Sequence, residues 1–163
     1  MPQIILTTEI RSTIDRCFDL SRSIDLHQLS TAHTNEQAIA GKTSGLIGLN
    51  EFVTWQATHL GIRQKLTSKI TAYDRPWYFV DEQIKGPFKS IRHEHHFEQL
   101  PDKVLMKDYF NFSSPFGIAG KIADKLFLTR YLQELLTKRN NVIKEFAETE
   151  KWALVLGNTK DIH

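Results

Sequence analysis

Cysteine is nearly absent from this chain: Cys17 stands alone among 163 residues. One thiol cannot form an internal disulfide, and no cysteine-based zinc site can be assembled. Cys17, beside Phe18, reads as a small buried apolar residue with no positioned base to make it a nucleophile. Long apolar runs are missing too, and none approaches the ~20 residues of a membrane span. Met1 to Thr8 lacks the basic start, the longer apolar stretch and the small-residue cleavage site of a secretory signal, so a cytoplasmic setting is expected. Neither sign of charge dominates: 21 Lys and Arg against 19 Asp and Glu give +2. The densest basic group (Lys138, Arg139, Lys144) sits among Glu134, Glu145 and Glu148. That pattern reads as a solvated helix face, not as the basic stripe of a nucleic-acid binder. No internal repeat, low-complexity stretch or linker divides the chain. One domain is therefore expected over residues 1–150, with a C-terminal tail at 151–163.

What is present is a globular composition, 40% hydrophobic and 25% charged. A chain of this length can bury about 70% of its unfolded surface. Gln3 to Ile10 is β-branched and apolar, a first strand. Ser12 or Thr13 can cap a following helix, with Asp15 in its first turn. Ile14, Phe18 and the run from Leu20 to Ile24 predict one or two short helices ending near Thr31. Glu36 to Ala40 is a further strand, closed by the turn-rich Gly41 to Gly45.

From Glu51 the period becomes two. Val53, Trp55, Ala57 and His59 alternate with Phe52, Thr54, Gln56 and Thr58. Gly61 breaks the run, and Leu66, Ser68 and Ile70 resume it. Trp77 to Lys85, Phe88 to Leu100 and Lys103 to Phe112 follow, the last two joined by a Pro101-Asp102 turn. Consecutive strands with short turns argue an antiparallel meander. After Gly117 the period turns helical: Ile118, Ile122, Leu126, Tyr131, Leu132, Leu135, Val142 and Phe146 recur at three and four. That predicts a helix of about 30 residues, roughly 45 Å long. Its apolar residues Tyr131, Leu132, Leu135 and Leu136 read as core and cavity wall, with a dimer seam as the alternative. Trp152, Leu154, Val155 and Leu156 form a last apolar patch that packs or frays.

Several segments carry a more specific resemblance. They are Asp25-Leu26-His27, Gly45-Leu46-Ile47-Gly48, Val53-Thr54-Trp55-Gln56-Ala57, Phe79-Val80-Asp81, Gly86-Pro87-Phe88-Lys89 and His93-Glu94-His95, with the Asp108 strand running into Pro115-Phe116-Gly117. Together with the element order, over nearly the whole chain, they resemble the uncharacterised bacterial ligand-binding proteins of the START-like, polyketide cyclase-like SRPBCC superfamily. The resemblance implies an α+β helix-grip fold. A curved antiparallel sheet of about seven strands would wrap a long C-terminal helix, with two short helices after the first strand. It also implies a cavity between sheet and helix for hydrophobic small molecules. Fold alone selects no activity.

The histidines draw most chemical interest. His93 and His95 are two apart, so on a strand both point to one face, continued by Phe97. On the next strand Met106, Asp108, Phe110 and Phe112 share a face, and the Pro101-Asp102 turn sets His95 nearly opposite Asp108. A carboxylate beside an imidazole orients its ring and favours its charged form. Such a pair suits a polar ligand anchor or acid–base work, or simply satisfies itself. A His-x-His strand pair can also give two zinc ligands, with His59 or His27 as a third. The spacing does not match HExxH, since Phe97 stands at the second histidine position. No metal set and no cofactor are assigned. Gly41-Lys42-Thr43 is read as a turn, because Glu36 stands where a phosphate loop needs glycine. The Gly45 to Gly48 loop is either a flap over a cavity or an anchored core loop.

The expected ligand-binding residues are Trp55, His59, Phe79, Asp81, His93, His95, Met106, Asp108 and Phe110, with His95 and Asp108 the candidates for any catalysis. The expected function is binding of a hydrophobic or amphipathic, lipid-like small molecule by a monomer or weak homodimer. A cyclase or dehydratase using the same His and Asp is the first alternative. A structural or partner-binding protein with a filled interior is the second.

Overall fold

A computed structural model describes residues 2–114 and 127–157. Strand β1 (Gln3–Ile10) leads into helices α1 (Ile14–Ser21) and α2 (Ile24–Ser30). Of the two capping candidates Thr13 is the one used: its side chain accepts from the Arg16 N–H at 3.3 Å. Ser23 caps α2 in the same way through Leu26 N–H at 3.1 Å. A 3-10 turn (Ala32–Thr34) precedes β2 (Gln37–Gly41), so Glu36 lies just before the strand rather than in it. Strands β3 (Phe52–His59), β4 (Ile62–Asp74), β5 (Tyr78–Lys85), β6 (Ser90–Gln99) and β7 (Val104–Ser113) then form the meander. Helix α3 (Thr129–Glu148) and the short α4 (Trp152–Leu156) complete the described chain. The expected helical positions Ile118, Ile122 and Leu126, and the Pro115-Phe116-Gly117 segment, lie outside the described residues.

The seven strands form one antiparallel sheet in the order β1-β7-β6-β5-β4-β3-β2. Strand β1 pairs with the last strand, while β2 takes the opposite edge. Helices α1 and α2 carry the chain between those edges. Register shifts within β2/β3 and β4/β5 mark bulges, which bend strands and increase local twist. The sheet curves accordingly, and α3 lies in its concave side. This is the helix-grip architecture.

Burial follows the period of two. Ile91, His93, His95 and Phe97 are the buried set of β6, and Val104, Met106, Asp108, Phe110 and Phe112 that of β7. The Leu100 N–H donates to the Lys103 carbonyl across the expected Pro101-Asp102 turn, which pins His95 opposite Asp108. Gly41 ends β2 at φ +73°, and a Cβ there would collide with the Phe52 carbonyl. The segment is thus a turn, as expected, and Lys42 N–H donates to that carbonyl at 2.8 Å.

Phe18 anchors the apolar core. It is fully buried and meets Tyr73, Phe79 and Phe97 at centroid distances of 5.3–5.4 Å. Cys17 beside it is also fully buried, and burial pushes its thiol up to about 12. A protonated, enclosed thiol does not react, because the thiolate is the nucleophile. Ellman's reagent is therefore expected to leave the native protein unlabelled and to titrate one thiol in denaturant. Rapid labelling of the native chain would contradict the packing of α1. Most of the final apolar patch packs: Trp152 lies under the Arg16 guanidinium at 4.2 Å, and Val155 and Leu156 rest on the core, while Leu154 is 80% exposed.

Candidate functional site

Between the concave sheet face and α3 lies a cavity of about 360 Å³. Its walls follow from strand alternation. Strand β3 contributes Val53, Trp55, Ala57 and His59; β5 contributes Phe79 and Asp81; β6 contributes His93 and His95. Helix α3 closes it with Tyr131, Leu132, Leu135 and Leu136, three or four residues apart and so on one helical face. Ile47, from the glycine-bounded loop, reaches the same space. It is 5% exposed, its N–H donates to the Arg22 carbonyl, and Gly45 accepts from Ile24. The loop is therefore anchored, and it lines the cavity from that fixed position.

At the centre of the sheet the wall turns polar. His93 Nε2 lies 2.8 Å from Asp108 Oδ1, and His95 Nε2 lies 2.8 Å from Asp81 Oδ2. The two imidazoles are 3.8 Å apart, and Phe79 stacks on His95 at 4.1 Å. Asp108 is completely buried behind the histidines. Its second oxygen accepts from Asn140 at 2.7 Å, and the Arg139 guanidinium comes within 3.6 Å of the first. Burial and the neighbouring His95 depress His93 to about 4, against the pull of Asp108 and Asp81, so this imidazole is neutral at pH 7. Burial alone would raise both carboxyls. Hydrogen bonding and charge from the histidines overcome it, holding Asp108 well below the ordinary range and Asp81 below it.

Two further polar pairs stand nearer β2 and β3. His59 Nδ1 lies 2.8 Å from the Tyr131 hydroxyl, and burial lowers the His59 pKa. His27 Nε2 meets Glu36 Oε1 at 2.7 Å, and its ring covers Trp55 at 4.2 Å. Burial raises Glu36, and the His27 contact more than offsets it.

The structure gathers Trp55, His59, Phe79, Asp81, His93, His95 and Phe110 onto one cavity wall. Two of the expected residues sit elsewhere. Asp108 supports the histidines from behind. Met106 is fully buried in the core under α1, its sulfur accepting from the Ser21 hydroxyl at 3.3 Å. It shares a strand face with Asp108 and Phe110 but lies toward the hairpin end, where α1 covers the sheet. Neither His59 nor His27 joins His93 and His95; the third potential ligand beside them is Asp81.

Arg139 overturns another expectation. It is not on a solvated helix face but 6% exposed, donating to the Ser21 carbonyl at 3.1 Å. Asn140 beside it was not singled out from the sequence. A signal existed: Leu136, Arg139, Asn140, Ile143 and Ala147 fall at helical spacing on one stripe. Two polar residues interrupting an apolar stripe imply a buried polar partner.

Comparison with known proteins gives no matching family model and no matching curated sequence. Solved structures do match. Ginseng major latex-like protein 151 from Panax ginseng superposes with a TM-score of 0.68 at 18% identity, covering 91% of this chain and 98% of that one. A START superfamily protein from Mycobacterium smegmatis gives 0.67 at 11% identity, covering 88% and 98%. The di-domain aromatase/cyclase StfQ from the steffimycin biosynthetic pathway gives 0.74 at 13% identity, over 91% of this chain and 52% of that one. With the seven-stranded grip around α3, these likenesses show that the chain shares the helix-grip fold of these proteins.

Proposed function

We propose that this protein binds a small molecule with an apolar body and one polar end. The observation that carries this reading is the cavity itself. Its volume of about 360 Å³ falls within the range of small-molecule sites. Apolar and aromatic side chains make most of its surface, and the Asp81, His93 and His95 cluster gives it a fixed polar patch at the centre of the sheet. Apolar burial would supply most of the affinity, at roughly 25 cal/mol per Å² before the costs of association. The histidines and Asp81 would orient a hydroxyl, carbonyl or carboxylate. The aromatase/cyclase StfQ, which shares the fold, is consistent with this use.

The test uses the dye 1-anilinonaphthalene-8-sulfonate. Saturable binding of one dye per chain is expected. Ala57→Trp, which places an indole into the cavity from β3, is expected to weaken it at least tenfold while circular dichroism stays unchanged. Dye binding that Ala57→Trp leaves intact would place the dye elsewhere and contradict the reading.

A second reading, an acid–base enzyme of the cyclase type, draws on the 2.8 Å His93–Asp108 contact, which fixes a neutral imidazole at the cavity wall. It requires His93→Gln to abolish turnover of a cyclisable substrate while binding persists.

A further inference from the structure

We propose that Asp81, His93 and His95 form a binding site for one divalent transition-metal ion, with an open coordination position facing the cavity. The metal site stands on side-chain geometry. Its use as an anchor for an oxygen of the bound molecule rests on the ligand-binding reading above. Although no metal set was expected from the sequence, one ligand atom from each of these residues lies within 4.8 Å of the others. Asp81 Oδ2 is 2.8 Å from His95 Nε2 and 4.0 Å from His93 Nδ1. Donor atoms of a tetrahedral zinc with bonds of about 2.0–2.1 Å lie about 3.3 Å apart, so these separations bracket the required value.

The outer nitrogens strengthen the case. His93 Nε2 is hydrogen-bonded to Asp108 Oδ1, leaving Nδ1 turned toward Asp81. His95 Nδ1 lies 3.1 Å from the same Asp108 oxygen, yet it is buried without a hydrogen-bond partner. Neither neutral tautomer of His95 suits this place. With the proton on Nε2, the Nδ1 lone pair faces the Asp108 carboxylate. With the proton on Nδ1, the Nε2 lone pair faces Asp81 at 2.8 Å. A cation held by Nε2 and Asp81 removes the conflict, because Nδ1–H can then turn to Asp108. Both histidines would donate their outer N–H to one carboxylate, itself held by Asn140, which is the usual support of metal-bound imidazoles. Charge agrees: Asp81 and Asp108 bring two negative charges and Arg139 one positive. Two imidazoles and one carboxylate suit zinc and its first-row neighbours better than calcium or magnesium.

The test takes the tag-free full chain after dialysis against chelator and titrates it with zinc by calorimetry. Cobalt(II) absorption in the visible region reports the coordination. One zinc per chain is expected, with Kd at or below about 1 μM. Asp108→Asn is expected to weaken binding about 10–100-fold at unchanged stoichiometry. Asp81→Asn and His95→Gln are expected to weaken it more, and His96→Ala, on the outer face, to leave it unchanged. Asp81→Asn carries the test if the buried histidine variants do not fold, since its side chain is 26% exposed. No saturable binding up to about 1 mM zinc, or binding that Asp81→Asn leaves unaltered, would overturn the proposal. Dye binding by the chelated protein is read separately, so failure of the metal site and failure of the cavity reading are distinguishable.

Discussion

Asp108→Ala is expected to cost about 3–5 kcal/mol of stability, the range for removing one partner of a buried charged network. For a chain of this size that is a fall of roughly 10 °C or more in Tm. The reason is what the carboxylate leaves behind. Asp108 is fully buried and holds His93 and Asn140 at 2.8 and 2.7 Å. Without it, Asn140 and His93 each lose a hydrogen bond, and Arg139 loses a carboxylate 3.6 Å away. Asp108 also joins β7 to α3, so the change loosens the helix against the sheet. Asn140→Ala removes a neutral amide that donates to Asp108 and Thr8 and accepts from Arg139, and is expected to cost less, about 1–3 kcal/mol. Thermal melts followed by circular dichroism check both. A Tm change in Asp108→Ala no larger than that of Asn140→Ala would contradict the central role given to the carboxylate.

Phe18→Ala is the other large effect, at about 3–5 kcal/mol. Phe18 has no exposed surface and makes tilted or edge contacts with three rings from β4, β5 and β6. Removing the ring deletes apolar burial and opens a hole that α1 cannot collapse into, since Thr13 and the Asp19 ion pairs with Arg22 and Arg75 fix the helix. The consequence reaches the cavity, because Phe79 touches Phe18 on one side and stacks on His95 on the other. A lower urea midpoint with an unchanged slope is expected. A shift corresponding to less than about 1 kcal/mol would mean that the core is held by something other than this aromatic cluster.

Much of this was legible from residue order. The period of two from Val53 to Phe112 gives the meander and the inward face of nearly every strand, because one face is buried and a one-residue slip would expose it. The His95–Asp108 pairing follows from counting across the Pro101-Asp102 turn. Pairing within a strand pair is local, and the turn fixes it. What was illegible is non-local. Nothing in the sequence gives Asp81 to His95 rather than to solvent, because that needs the β5/β6 register, whose pairing stops at Glu82↔Arg92 and leaves a longer unpaired connection than the one closed by Gln99↔Val104. Met106 looked like a cavity residue because period shows the face but not what covers each part of it. Arg139 reads as a surface charge from sequence because its neighbours Lys138 and Lys144 are charged. The partner that makes its burial tolerable, Asp108, is thirty-one positions away.

The measurement that tests the account most directly is a heteronuclear NMR titration of the labelled protein with the same naphthalene dye. Saturating shifts are expected in the Trp55 indole, the Ala57 and Leu135 methyls and the His93 and His95 rings, with His96 and Tyr109 on the outer sheet face unmoved. Shifts confined to that outer face, or no saturation at all, would contradict a ligand cavity between the sheet and α3.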